Sequence, residues 1–157
     1  MNVLLSIRPE YIQGIACGAK RYEFRKTIFR NETVDKVYIY STAPVKKIVG
    51  AFTIGEIIEG TPSFLWRNFK NESGLARHEF FDYFGDRARG YAIGIEDFNL
   101  FDHAIDPWLS IQDFYPPQSF WYFDDRMINE YFKEMSNNIR EIPGNQPNTV
   151  AWKGVMR

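Results

Sequence analysis

Short apolar runs and alternating segments along the chain predict strands separated by amphipathic helices. The run VLLSI, residues 3–7, predicts a first strand. Pro9 then stands where a helix tolerates proline, at its first turn, and Gly18 is a typical helix stop. The apolar positions between them recur at helical spacing: Tyr11, Ile12, Ile15 and Ala16. The chain therefore opens with a strand, a helix and a glycine-ended turn.

The next segment, GAKRYEFRK, alternates after its glycine. Tyr22 and Phe24 fall on one face of a predicted half-buried strand, and Glu23 and Arg25 fall on the other. Charged groups on the outward face of a strand are ordinary, so the pattern alone is also explained by solvated surface charges.

Later segments repeat the two kinds of pattern. Four more runs predict strands: residues 36–42, 47–60, 90–101 and 118–123. The glycines of the run at residues 47–60 favour bulges or bends.

Three more segments predict helices: residues 61–70, 76–84 and 124–135. In the helix predicted at residues 61–70, Thr61 is the expected N-cap and the inward positions are Phe64, Leu65 and Phe69. The apolar stripe of the last comprises Ile128, Tyr131, Phe132 and Met135.

Helices are inserted between strands without regular βαβ alternation, which favours an α+β fold over a doubly wound sheet. The expected architecture is a small mixed or mostly antiparallel β-barrel with peripheral helices. Residues 1–123 would form the barrel, and residues 124–157 a C-terminal helix and tail of the same domain. The tail from Ile142 is rich in Pro, Gly and Asn and is expected to be loosely ordered.

Composition restricts the kinds of site and the cellular location that we expect. Cys17 is the only cysteine, which excludes an internal disulfide and a multi-cysteine metal site, and we expect neither metal nor cofactor. The apolar run at Val3–Leu5 is too short for a signal peptide or a membrane span, so a cytoplasmic protein without membrane contact is expected. The formal net charge of -1 gives no global field to attract nucleic acid, so a phosphate site would have to be local.

The glycine-ended turn leads into the spacing G-x-K-x-x-E-x-R at Gly18, Lys20, Glu23 and Arg25. Glu23 and Arg25 share a strand face, so the carboxylate can orient the guanidinium and leave its fork for a phosphate or a base edge. On a regular strand Lys20 would point to the opposite face from Glu23 and Arg25, and it joins them only if the chain turns after Gly18.

Three segments carry a family resemblance: LLSIRPEYIQGIACGAKRYEFRK, YIYSTAPVKKIVGAFTIGEI and RGYAIGI. They resemble the ASCH superfamily, whose motif has this Gly, Lys, Glu, Arg spacing. The resemblance covers roughly residues 2–123, and PPQSFWYF is similar to the closing strand of longer bacterial members, some described as predicted transcriptional regulators. It implies a barrel related to the PUA domains that bind RNA, with the motif in a cleft beside the barrel.

The resemblance implies three cleft residues and four neighbours: Lys20, Glu23, Arg25, Ser6, Arg8, Ser41 and Thr42. Lys20 would contact an anion or transfer a proton, Glu23 would be its orienting or basic partner, and Arg25 would be a planar clamp. The four neighbours would contact a ligand or donate to a phosphate, but the same residues also suit a helix cap, an ion pair or a turn.

Binding of RNA, a nucleotide or a modified nucleoside is the first functional hypothesis, with a role in RNA processing or transcription regulation. It requires a local basic cleft and aromatic rings on which bases stack. The candidate rings are Tyr40, Trp66, Trp121 and Tyr122. Each of these rings is also explained by packing within the protein.

Hydrolysis is the alternative, either of N(4)-acetylcytidine, which some ASCH-like proteins deacetylate, or of RNA. In those amidohydrolases the motif lysine works with a threonine and a downstream glutamate, here Glu72 or Glu79. This chain has Glu23 at the threonine position, and a carboxylate does not replace a threonine nucleophile. His78 and His103 are the only imidazoles, and neither belongs to the motif.

A protein-interaction module is the second alternative. Aromatic residues are frequent from Trp108 to Tyr131 and could form a surface for a partner or a homodimer instead of a core.

Overall fold

The computed structural model describes residues 1–124 and 126 of the 157-residue chain. Six strands lie in this part: β1 (Asn2–Ile7), β2 (Tyr22–Arg25), β3 (Lys36–Ser41), β4 (Lys47–Gly60), β5 (Gly90–Ile105) and β6 (Trp121–Phe123). Four helices accompany them: α1 (Pro9–Ala16), α2 (Pro62–Phe69), α3 (Arg77–Phe84) and α4 (Pro107–Ser110). A short 3₁₀ turn, Lys70–Glu72, follows α2.

The strands form one mixed sheet in the order β2-β5-β4-β3-β1-β6. Only β1 and β3 run parallel among the described pairs; the other neighbours are antiparallel. The predicted α+β fold is confirmed. The bends predicted in the glycine-containing strand are confirmed as well, because the register between β4 and β5 shifts at three points, one of them between Ile48 and Gly50.

Main-chain pairing does not close the sheet within the described residues, because β2 and β6 are its edges. Side chains join the two edges instead. Arg25 at the end of β2 donates to the Ser119 carbonyl at 2.6 Å, and the Thr27 and Ser119 hydroxyls lie 3.0 Å apart. We call this junction between residues 25–27 and 117–119 the seam. In place of the expected barrel, the described residues form an open sheet whose two edges are connected by side-chain hydrogen bonds.

Helices cover two parts of the sheet. The apolar face of α1 packs against β5 and into a core cluster that also contains residues of β1, β3 and β4, and Ile12 and Ile15 are buried in that cluster. On the other side, α2 and α3 pack over β2 and β5 in an aromatic cluster of Phe24, Leu65, Phe80, Phe84 and Ala92. These two helical layers leave a gap between α1 and α3, and the candidate site lies there.

Two details of the predicted elements are wrong. Phe64 is 38% exposed and does not face inward, because α2 contacts the sheet along a narrow face centred on Leu65. The Phe64 ring instead lies against Gly60, where an added Cβ would approach a ring carbon to 2.5 Å. The strand predicted at residues 90–101 is longer than expected: β5 extends to Ile105 and includes His103.

Apart from Asp124 and Arg126, the predicted helix 124–135 lies outside the described residues, as do its stripe at Ile128, Tyr131, Phe132 and Met135 and the tail from Ile142. Their membership in the same domain stays a prediction. Asp124 accepts a hydrogen bond from the Arg126 N–H at 2.9 Å. No helix in the described part of the chain is long and apolar enough to cross a membrane.

Candidate functional site

A cleft of about 530 Å³ opens between α1, β2 and α3. Its walls come from the end of β1, the first turn of α1, the motif segment and one face of α3. The lining residues are Ser6, Ile7, Arg8, Tyr11, Lys20, Glu23, Phe24, Arg25, Leu75, His78, Glu79, Asp82 and Tyr83. Five of the seven residues that the resemblance implies therefore meet in one cavity. Ser41 and Thr42 are not among its lining residues.

Lys20 lies at the floor of the cleft because the chain turns at Gly18, which adopts a φ of 83°. The turn directs the lysine inward against the loop after α2, where its Nζ donates to the Ser73 carbonyl at 2.9 Å. The side chain is only 2% exposed. Gly74 makes room for it, since a Cβ there would lie 2.7 Å from the lysine Cβ.

Glu23 is the charged neighbour of Lys20, but the pair is loosely made. The Glu23 Oε2 lies 3.6 Å from the Lys20 Nζ and has no hydrogen-bond partner, even though Glu23 is buried, with only 6% of its surface exposed. Charge-assisted hydrogen bonds are typically about 2.7–2.9 Å long. Burial lowers the pKa of Lys20 from its ordinary value, and attraction to Glu23 opposes that effect only in part. The floor thus holds a buried ion pair with an unused acceptor.

The interpretation of Glu23 and Arg25 as solvated surface charges is wrong. Glu23 is buried, and the Arg25 side chain is 12% exposed. The strand alternates as predicted, but α3 covers one face of it and the seam covers the other. Both faces are therefore removed from water.

Arg25 directs much of its guanidinium fork to protein acceptors. Its Nη1 donates to the Ser6 carbonyl at 3.3 Å and approaches Glu23 Oε1 at 3.5 Å, while Nη2 donates to Ser119. The Ser6 hydroxyl in turn donates to the Pro117 carbonyl at 2.7 Å. Arg25 and Ser6 therefore hold the seam together beside the cleft.

The wall between α1 and α3 is fixed by Tyr11 and Glu79. The Tyr11 hydroxyl donates to Glu79 Oε2 at 3.2 Å, and the Ala76 N–H donates to Oε1 at 3.0 Å. The bond from Ala76, followed by that from Tyr11, lowers the pKa of Glu79, while burial raises the pKa of Tyr11. Of the two downstream glutamates considered from the sequence, Glu79 lines the cleft and Glu72 does not.

From the sequence, His78 and Glu79 were considered only for the hydrolysis alternative, and Asp82 and Tyr83 were not predicted as site residues. All four are polar residues of α3 that line the cleft. They occupy the face of the helix opposite Phe80 and Phe84, which are buried. The pairs 78–79 and 82–83 are four residues apart, so on a helix they form one polar stripe that the sequence shows. What the sequence lacks is any sign that this stripe faces the motif rather than bulk solvent.

The other predicted contacts lie elsewhere. The Thr42 N–H donates to the Ile7 carbonyl, and Ser41 is buried in β3. None of the four predicted stacking rings lines the cleft; Tyr40, for example, is buried against Trp108 and Phe114. The rings that do line it are Tyr11, Phe24 and Tyr83. Among the described residues, no three His, Cys, Asp or Glu side chains converge as a metal site would require.

The sequence profile of the ASCH domain matches residues 5–124. This chain belongs to the ASCH domain family. A protein of Zymomonas mobilis named ASCH domain-containing ribonuclease is 31% identical over 125 residues, which span 75% of this chain and 81% of that protein. The assignment confirms the resemblance seen in the motif and its flanking segments.

Solved ASCH structures share the fold. The crystal structure of ASCH from Zymomonas mobilis superposes with a TM-score of 0.76 at 25% identity, covering 84% of this chain and 94% of that one. A tyrosine-to-phenylalanine variant from the same organism gives a TM-score of 0.76 at 24% identity, covering 84% and 96%.

Proposed function

We propose that the cleft of this ASCH domain binds a nucleotide unit of RNA. The observation that carries the proposal is the loosely made Lys20–Glu23 pair at the cleft floor, with its unpartnered carboxylate oxygen. Burying an ion pair is costly, and an unsatisfied buried acceptor costs about 1–3 kcal/mol more. A ligand N–H that hydrogen-bonds Glu23 would offset that cost, and the edge of a nucleobase supplies such groups.

The charges of the cleft favour a base at the floor and a phosphate at the rim. Three cationic side chains and three carboxylates line it: Arg8, Lys20, Arg25, Glu23, Glu79 and Asp82. A phosphate at the floor would face the Glu23 carboxylate, whereas Arg8 at the mouth has a side chain that is 67% exposed. Arg8 also lies over the Tyr11 ring, 6.0 Å from its centroid. Tyr11 and Arg8 thus offer a stacking surface with an adjacent cation.

Replacing Tyr11 with leucine is expected to weaken binding of a short single-stranded RNA by about fivefold to a hundredfold, the range for loss of one stacked base. Leucine keeps apolar volume against the core cluster beneath α1 and removes the flat ring. Fluorescence anisotropy with a labelled RNA measures the change. The matched control is Tyr122→Leu, which removes an exposed ring outside the cleft. Weaker binding in the control alone would place the RNA elsewhere and contradict the proposal.

RNA cleavage is a second candidate function, supported by the imidazole and carboxylate that share the cleft. His78 lies beside Glu79 on α3, so an imidazole and a carboxylate face the proposed nucleotide site. General acid–base catalysis of phosphodiester cleavage needs two such groups. The ribonuclease name of the Zymomonas mobilis relative supports the same reaction. Deacetylation has less support, because no threonine is among the residues that line the cleft.

Replacing His78 with alanine is expected to reduce RNA cleavage about 10²–10⁴-fold, the usual contribution of one proton-transfer group. Mass spectrometry of RNA products over time measures the rate. His103→Ala is the control, since this second histidine lies in β5 outside the cleft. Equal loss in both variants, or product formation unaffected by His78→Ala, would exclude the histidine from the reaction.

A further inference from the structure

We infer that the rim formed by Lys26 and Tyr83 is a second nucleotide subsite, so that the ligand is a single-stranded RNA of at least two nucleotides. The inference rests on the proposed function, because it extends a strand from the nucleotide at the cleft floor. We call Lys26 and Tyr83 the second rim, and Arg8 and Tyr11 the first rim.

Tyr83 is held rigidly although it is 36% exposed. The Lys26 N–H donates to the Tyr83 hydroxyl at 3.2 Å, and the Lys26 Nζ lies 4.8 Å from the ring centroid. The neighbouring Phe84 ring meets it edge-on at 5.0 Å. A ring fixed at its hydroxyl, its face and its edge loses little conformational freedom on binding, which favours its use as a platform.

The two rims repeat one arrangement along α3. Glu79 contacts Tyr11 of the first rim, and Tyr83 stands one helical turn further, about 6 Å along the axis. Each rim pairs a tyrosine ring with a cation over it, Arg8 in the first and Lys26 in the second. Proteins that bind single strands combine stacking rings with a basic path for the backbone. A mononucleotide would use only one of the two rims.

The charge of the second rim is available to a phosphate. Lys26 has no carboxylate within ion-pairing distance in residues 1–124 and 126, unlike Lys20 and Arg25. Arg25 and Arg87 act electrostatically on the Tyr83 phenol, and the Glu23 carboxylate acts on it in the opposite sense. With the Lys26 ammonium beside the ring, the cations around Tyr83 outnumber this carboxylate, so a backbone phosphate there would meet a net positive charge.

The test compares the affinities of 5′-mononucleotides with that of a 2′-O-methyl tetranucleotide, which cannot be cleaved through its 2′-hydroxyl. The wild-type protein is expected to bind the tetranucleotide at least about tenfold more tightly. Lys26→Ala should weaken tetranucleotide binding about fivefold, make the negative slope of log affinity against log salt shallower by about 0.7, and leave mononucleotide affinity unchanged. Tyr83→Leu should reduce the ratio of tetranucleotide to mononucleotide affinity.

Lys36→Ala is the matched control, because Lys36 lies 5.2 Å over the ring of Tyr38 on another part of the surface. It should change neither affinity. Mononucleotide binding without a gain for the tetranucleotide, or a gain that survives both rim variants, would overturn the second subsite and leave the proposed function intact. Failure to bind any of these ligands would overturn both.

Discussion

Replacing Lys20 with methionine is expected to lower the free energy of unfolding by about 3–5 kcal/mol, the usual cost of breaking a buried ion pair on one side. The substitution removes the bond to the Ser73 carbonyl and leaves the buried Glu23 carboxylate without its cation. Urea denaturation followed by circular dichroism measures the change. This large cost would accompany a modest change in side-chain volume.

Two further variants separate charge burial from the loss of a lysine as such. Lys20→Met combined with Glu23→Leu should recover most of the loss, because removing both charges is often neutral. Lys70→Met, on the exposed 3₁₀ turn, should change stability by less than about 0.5 kcal/mol. If the double variant is no more stable than Lys20→Met alone, the pair is not the source of the cost.

The lowered pKa of Lys20 also predicts a pH dependence. Between its folded pKa and the ordinary value of 10.5, the unfolded chain holds a proton at Lys20 that the folded protein has released. Stability therefore rises with pH across this interval through this group, and this pH dependence disappears below the folded pKa, where both states hold the proton. The difference in unfolding free energy between wild type and Lys20→Met should grow as pH approaches 10.5.

Replacing Arg25 with methionine is expected to cost about 3 kcal/mol and to open the seam. Two main-chain carbonyls, those of Ser6 and Ser119, lose hydrogen bonds from a charged donor, each worth about 1.5–3 kcal/mol before relaxation. Hydrogen exchange should accelerate most at the amides of β6, since within residues 1–124 this three-residue strand pairs with Asn2–Leu4 of β1 alone. The free energy of unfolding and the amide exchange rates of β6 therefore both measure the effect of Arg25→Met.

Arg89→Met provides the control for Arg25. Arg89 forms an exposed ion pair with Glu59 at 3.0 Å, and such pairs contribute about 0–1 kcal/mol. Arg25→Lys should retain only part of the stability, because an ammonium cannot reproduce the planar fork. Unchanged exchange in β6 after Arg25→Met would show that the seam does not depend on this residue.

Local sequence was sufficient for the elements that surround the site. Proline at the first turn and glycine after the last residue predicted α1, and Thr61 caps α2 through a hydrogen bond from the Phe64 N–H, as expected. Alternation predicted β2 and the shared face of Glu23 and Arg25. These features depend on contacts between near neighbours in the chain, which a single sequence records.

Burial at the site depended on distant segments and could not be read locally. Whether Glu23 faces water is decided by α3 and by residues 117–119, more than fifty positions away. The direction of Lys20 required the backbone angle of Gly18, which the sequence permits without requiring. Tyr11 illustrates the same limit: spacing placed it correctly on α1, but its role follows from its contact with Glu79.

The seam also affects when the chain can fold during its synthesis on the ribosome. The Ser6 hydroxyl bonds a residue 111 positions away, and Arg25 bonds one 94 positions away. A chain is synthesised from its N-terminus at about 5–20 residues per second, so β1 and β2 exist for several seconds before residues 117–119 emerge. During that interval the motif arginine lacks its Ser119 acceptor, and the edge of β1 lacks β6. The nascent protein therefore cannot present a finished cleft until nearly all of the described sheet has been made.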